Sequence, residues 1–261
     1  MFTDNPFVAV GRVLTTGFMT WYLFLMVLAV VAGTLFDIAH KGSARYFFAN
    51  WRKSKNKSSQ QVGGGEMIAL AVKTGMVDVL ASGEFCNPRR RLAHLLTMYG
   101  FLLYVGSTAV MVFGYPTPAT PTPALLPQLW WLGGLMICAG GYWFWFFIRV
   151  DVAAEGGSPW RLMRADLFVL SLLASATLGL VWAYLQARSS AAATALFGLY
   201  IISTTVLFGS VAWSKFAHMF FKPAAAFEKR VSNANGSRSN LPGPAVQPEQ
   251  FGSARRQPRH Y

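Results

Sequence analysis

The chain has 261 residues, of which 54% are hydrophobic and only 13% are charged, and its formal net charge is +13. Because soluble domains carry about 25% charged residues, this composition excludes an ordinary soluble protein. Nucleic-acid binding is not expected either, since no nucleic-acid motif accompanies the positive charge. The cations flank apolar runs, where they set the membrane topology and attract anionic lipids.

Five apolar runs are long enough to cross a bilayer as helices, which takes roughly 20 residues. None of them alternates with period two, so helices that satisfy their own backbone groups are expected. The first run is too long for a signal peptide, lacks a basic leader, and is expected to stay as an anchor. The sequence therefore predicts an all-α membrane bundle of five transmembrane helices, in a membrane domain over residues 1–230. The predicted spans are 17–39, 92–114, 129–148, 165–187 and 195–221.

Lysine and arginine are concentrated in alternate connections between these spans. The connection between the first two spans carries ten of them, the connection between the third and fourth carries three, and residues 115–128 carry none. Short cytoplasmic loops hold the excess of positive residues. This distribution predicts an outer N-terminus and a cytoplasmic C-terminus.

The polar segments differ from one another in composition. Residues 51–65 are basic and rich in glycine, and they predict a flexible linker. Residues 66–80 have the spacing of a short amphipathic cytoplasmic helix that lies in the membrane interface or packs on a partner. Residues 115–128 hold five prolines and predict an extended cover, whereas residues 231–261 predict a disordered basic tail.

The two cysteines, Cys86 and Cys138, do not form a ligand motif. Without a C-x-x-C pair, neither an iron–sulfur cluster nor a structural zinc is expected in this chain. A disulfide is not expected either, because Cys138 lies in a predicted span and Cys86 on the reducing side.

The histidines give the candidate cofactor site. His94 lies near the start of the second run and His218 near the end of the fifth, so the predicted topology places both about one helical turn inside the cytoplasmic boundary. Two imidazoles at matched depth on separate helices are what a haem b needs as axial ligands. Two alternatives stay open: the imidazoles hydrogen-bond neighbouring helices, or His40 joins them around another metal ion. His260, in the tail, has no expected role.

Other residues around these histidines fit the haem interpretation. Small residues, Ser210, Val211 and Ser214, precede His218 at helical spacing and leave room for a macrocycle. Cations at the membrane boundary would pair with the haem propionates. These cations are Arg89, Arg90, Arg91, Lys215 and Lys222.

The stretches RRRLAHLLTMYGFLLYVGSTAVMVFG and SKFAHMFFKPAAAFEKR resemble cytochrome b membrane subunits of the nitrate reductase gamma and heterodisulfide reductase-associated type. Within that group, the adenylylsulfate reductase membrane anchors of sulfur-oxidising bacteria are the most similar. The resemblance covers about residues 15–230. It implies a bacterial inner-membrane protein in which histidines hold haem b. Only His94 and His218 match the haem ligands, so the resemblance implies one haem at most.

The resemblance implies an electron-transfer anchor without a catalytic site of its own. It would link a cytoplasmic flavin and iron–sulfur oxidoreductase, adenylylsulfate reductase, to the quinone pool. Asp37 and Asp166 are then candidates for proton transfer to quinone, or they are ordinary charges at helix ends. Two alternatives remain: a docking protein without a cofactor, and a small transporter, which the lack of repeats and of midplane charges disfavours.

Overall fold

The computed structural model describes residues 2–11, 14–15, 17–83, 85, 87–149, 156, 158–163, 166–213 and 218–237, without the side chains of Lys41, Ser43, His218 and Phe220. Every regular element in this part of the chain is helical, so the predicted all-α fold is confirmed. The α-helices are α1 Pro6–Val10, α2 Phe18–Lys41, α3 Ser43–Asn56, α4 Gly64–Lys73, α5 Pro88–Gly114, α6 Leu125–Trp143, α7 Leu167–Ala187, α8 Ala192–Gly209 and α9 His218–Ala234. Two π-helical segments continue α4 and α6 directly, Thr74–Leu80 and Phe144–Ile148.

Five helices are long and apolar enough to span a membrane, which confirms the predicted multi-pass bundle. They are Phe18–His40, Pro88–Gly114, Leu125–Ile148, Leu167–Ala187 and Ala192–Gly209. The chain divides into two units. The membrane unit comprises Met1–Asp37 and Leu92–Ala217, and the second unit comprises Ile38–Arg91 and His218–Tyr261.

Several boundaries differ from the predicted ones. The third span begins at Leu125, because Pro127 lies in the first helical turn, where proline loses no hydrogen bond. The fifth span ends at Gly209 instead of residue 221, and His218 begins the separate helix α9. Residues 51–56, predicted as flexible linker, belong to α3. Helix α9 extends into the predicted tail as far as Ala234, and residues 238–261 lie outside the described chain.

Glycines on two faces of α6 allow close helix packing in the membrane unit. A Cβ atom added to Gly133 would lie 2.6 Å from the Tyr104 backbone nitrogen of α5. On the adjacent face, a Cβ atom added to Gly134 would lie 2.7 Å from a methyl carbon of Leu180 in α7. The same pattern recurs seven residues later, at Gly140 and Gly141. Small residues of this kind let helix backbones approach closely in lipid.

Aromatic rings fill the interior next to these glycines. Trp130 and Trp182 are almost completely buried, and the Tyr104 ring stacks on Trp130 with 4.9 Å between ring centroids. Helix α1 adds Phe7, whose ring meets Trp130 edge-on at 5.9 Å. The Asn5 side chain caps α1 and donates to the Tyr115 carbonyl, so α1 is held against the proline-rich segment.

The second unit packs α3, α4 with its π segment, and α9 together. The Trp51 ring of α3 stacks on Phe227 of α9 with 5.9 Å between centroids. Arg230 of α9 donates two hydrogen bonds, of 2.6 and 2.8 Å, to the Asp78 carboxylate of the π segment. Arg230 lowers the pKa of Asp78, and Asp78 raises the pKa of Arg230, so both groups are charged at neutral pH.

Candidate functional site

The two predicted haem ligands lie in different units. His94 is half-buried on α5 of the membrane unit, one turn beyond Arg91. His218 is the first residue of α9 in the second unit, and its side chain lies outside the described structure. The matched depth was predicted from a helix running to residue 221, whereas the spanning helix ends at Gly209. Neither unit by itself therefore brings the two imidazoles together.

The fit of a porphyrin can be judged on the His94 face of α5. Two residues on that face, Phe101 and Val105, line a cavity of about 30 Å³ in the membrane unit. Cofactor pockets generally have volumes of roughly 300 Å³ or more. Val211 was predicted to leave room for the macrocycle, but it is fully buried. A Cβ atom added to Gly33 of α2 would lie 3.0 Å from the Cβ atom of Val211, so α2 already occupies the space beside this residue. The membrane unit, which contains one histidine, therefore does not provide a porphyrin site on this face by itself.

The cations predicted to pair with the haem propionates lie at the start of α5 and on α9. Arg89 and Arg91 are exposed at the start of α5, Arg90 is half-buried there, and the Arg91 Nε donates to the Ala81 carbonyl at 2.8 Å. Lys222 is exposed on α9, with its Nζ 5.9 Å from the centre of the Phe85 ring. Lys215 and Ser214 lie outside the described residues. The described cations all belong to the second unit.

His40, the alternative metal ligand, is exposed in the last turn of α2. Within the described residues, no group of three or more histidine, cysteine, aspartate or glutamate side chains has metal-binding geometry. Cys138 is half-buried, and its Sγ lies 3.5 Å from the Thr177 hydroxyl of α7. Cys86 lies outside the described residues.

The two candidate acids are both buried, and Asp166 has a clear structural partner. Its carboxylate accepts hydrogen bonds from the Arg149 guanidinium at 2.6 Å and from the Met163 backbone N–H at 2.8 Å. Arg149 also lies over the Trp145 ring, 4.1 Å from its centre, and donates to the carbonyls of Pro159 and Arg161. This arrangement ties residues 159–163 to the end of the third span and the start of α7. Asp37 is 3% exposed within α2.

Sequence reasoning missed the hydroxyl groups that line the 30 Å³ cavity. The Ser175 hydroxyl of α7 and the Thr204 hydroxyl of α8 lie 2.7 Å apart, and the rings of Tyr22, Tyr104 and Tyr200 close the same cavity. Serine and threonine in apolar helices typically hydrogen-bond across to a neighbour, so these residues were a signal in the sequence. A cavity of this size has room for one or two water molecules.

The described part of the second unit has a strongly basic surface. Lysine and arginine outnumber aspartate and glutamate by ten to three over residues 38–91. Five of these cations are exposed on α3 or immediately after it. They are Arg45, Arg52, Lys53, Lys55 and Lys57.

Comparison of the chain with models of protein families, with curated proteins and with solved structures finds no match.

Proposed function

We propose that this chain is a membrane anchor that holds a cytoplasmic oxidoreductase at the inner face of a bacterial cytoplasmic membrane. The observation that carries the proposal is the folded, basic second unit attached to a bundle of apolar helices. Its α3 packs on α9 through the Trp51–Phe227 stack and, with the residue that follows it, exposes five cations. A rigid surface of one charge sign favours docking of an acidic partner, because electrostatic complementarity speeds encounter and fixes orientation.

The resemblance found in the sequence suggests which partner to test. It points to adenylylsulfate reductase, a soluble flavin and iron–sulfur enzyme, and to dissimilatory sulfur oxidation as the setting. The positive-inside distribution supports a cytoplasmic location for the second unit and an outer location for the N-terminus.

Neutralising the cations of α3 is expected to weaken partner binding. A variant with Arg52, Lys53, Lys55 and Lys57 all changed to glutamine should bind purified adenylylsulfate reductase about ten-fold less tightly, with a shallower dependence on salt. Binding would be measured by biolayer interferometry on the full chain in nanodiscs. The matched control changes Arg52 to lysine and changes Lys53, Lys55 and Lys57 to arginine. It keeps the charge at each position and should keep the affinity. Equal affinity of the glutamine variant and the wild type would refute docking through α3.

The electron-transfer form of the proposal adds one haem b, held by His94 and His218, with quinone as the electron partner. Its support is the resemblance around these two histidines. The small cavity and the early end of the fifth span weigh against it. The docking form needs no cofactor, so one absorption spectrum distinguishes the two forms of the proposal.

Under the electron-transfer form, a reduced-minus-oxidised absorption spectrum of the purified chain is expected to show a b-type α-band. His94→Ala and His218→Ala should each abolish the band, whereas His40→Ala should leave it intact. A colourless, folded preparation from haem-replete cells would exclude electron transfer through this chain. The docking form would then stand alone.

A further inference from the structure

An apolar stripe runs along α4 and its π segment. Its four members are aliphatic, exposed and separated by four residues each. They are Ile68, Val72, Met76 and Leu80, with 68, 59, 59 and 44% of their surfaces exposed. If this side of the helix faced water, the row would be an unusually large exposed apolar surface for a short helix.

The π segment keeps this stripe straight. In an α-helix with 3.6 residues per turn, each step of four residues rotates the side chain by roughly +40°. A π-helix winds more slowly, at roughly 4.4 residues per turn, so the same step rotates it by roughly −30°. The two drifts offset each other because the helix changes type at Thr74. All four side chains therefore point to one side of the element.

The opposite side of the element packs on α9. Thr74 is 4% exposed, and Asp78 forms the ion pair with Arg230. These contacts fix the rotation of the element about its own axis. The apolar stripe is consequently held on the side that faces away from α9.

The C-terminal end of the stripe lies at a point where the chain enters the membrane. The carbonyl of Ala81, the residue after the stripe, accepts the 2.8 Å hydrogen bond from Arg91 in the first turn of α5. The apolar run of that spanning helix begins at the next residue, Leu92. The C-terminal end of the exposed aliphatic row is therefore joined to the first turn of the helix whose apolar part enters the lipid.

We propose that the apolar stripe lies in the headgroup region of an anionic bilayer, the same one that the five spans cross. The exposed Lys73, beside the stripe, pairs with an anionic headgroup, and the excess of cations over residues 38–91 complements the charge of such a surface. A protein partner is disfavoured for this face, because interface hot spots are enriched in tryptophan, tyrosine and arginine and the stripe has none of them. This lipid contact forms whether or not a soluble partner is bound.

The test places an environment-sensitive fluorophore on the stripe of the full chain. Met76→Cys, in a background with Cys86→Ser and Cys138→Ser, is labelled and reconstituted in nanodiscs of phosphatidylcholine and phosphatidylglycerol. Lipids with a doxyl quencher near the headgroup are expected to lower the emission at residue 76 at least about two-fold. The matched control is Glu66→Cys, an exposed position on the other side of α4, where quenching should be slight.

The lipid charge provides the second comparison. Quenching at residue 76 should fall in discs of phosphatidylcholine alone, and Lys73→Gln should reduce the difference between the two lipid mixtures, since the other cations of residues 38–91 remain. Equal quenching at residues 66 and 76 would overturn the proposal. A label at residue 76 that is exposed to water in nanodiscs and becomes buried only when adenylylsulfate reductase is added would also overturn it, and would assign the stripe to the protein partner.

Discussion

Replacing Asp166 by alanine is expected to lower the free energy of unfolding of the membrane unit by about 3–5 kcal/mol. The side chains of Arg149 and Asp166 are 4% and 11% exposed, so the substitution leaves a buried guanidinium without its carboxylate. The loss is measured as a fall in the midpoint of thermal unfolding in detergent micelles. Gln128→Ala, which removes an exposed polar side chain from the same unit, serves as the control and should have little effect.

A double variant distinguishes the cost of a stranded charge from the worth of the pair. Arg149→Leu combined with Asp166→Leu removes both charges and should recover most of the stability lost by Asp166→Ala, because an apolar pair of similar volume often substitutes for a buried ion pair. A single-variant loss below about 1 kcal/mol would contradict a buried ion pair, since that range is typical of exposed pairs.

Adding one methyl group at Gly133 is expected to destabilise the membrane unit by about 1–3 kcal/mol. The new Cβ atom would lie 2.6 Å from the Tyr104 backbone nitrogen and 2.8 Å from the Gly100 carbonyl oxygen. Both obstacles are backbone atoms, so α5 and α6 must separate to admit it. Thermal unfolding of Gly133→Ala in detergent measures the loss.

Gly106→Ala is the matched control, because it adds the same methyl group to a spanning helix. A Cβ atom at Gly106 has no atom within 4 Å, so only the higher helix propensity of alanine acts there. Its unfolding midpoint should stay the same or rise slightly. If the two variants lost equal stability, helix propensity or lipid packing would explain the effect of Gly133→Ala, and the close contact of α5 and α6 would not.

Hydropathy predicts the existence of the five spanning helices but not where the last one ends. Residues after Gly209 include Val211 and Trp213, so the apolar composition continues although the helix stops. The burial of Val211 against Gly33 is a tertiary contact between α2 and the segment after α8. A hydropathy average along the sequence cannot detect such a contact. The predicted depth of His218 was wrong in its premise, because it assumed that the fifth span continues past Gly209.

Contacts between distant residues account for the other differences. Local composition made residues 51–56 a linker, yet Trp51 finds its partner in Phe227, far along the chain. The ion pair between Arg149 and Asp166 is likewise a tertiary contact, and in the sequence Arg149 was only one of the three cations counted between the third and fourth spans. The paired glycines of α6 were visible in the sequence, but it did not show that the first glycine of each pair faces α5 and the second faces α7.

The second unit is built from two parts of the chain that are synthesised at different times. Its two parts, residues 38–91 and 218–237, are separated in the chain by four spanning helices. During synthesis from the N-terminus, α3 and α4 emerge early, but Phe227 and Arg230 follow only after the last span has left the ribosome. A chain that stalls or is truncated before α9 lacks the residues that fix α3 and the π segment. The packing that fixes α3 and the π segment is therefore completed only after the C-terminal helix has been synthesised.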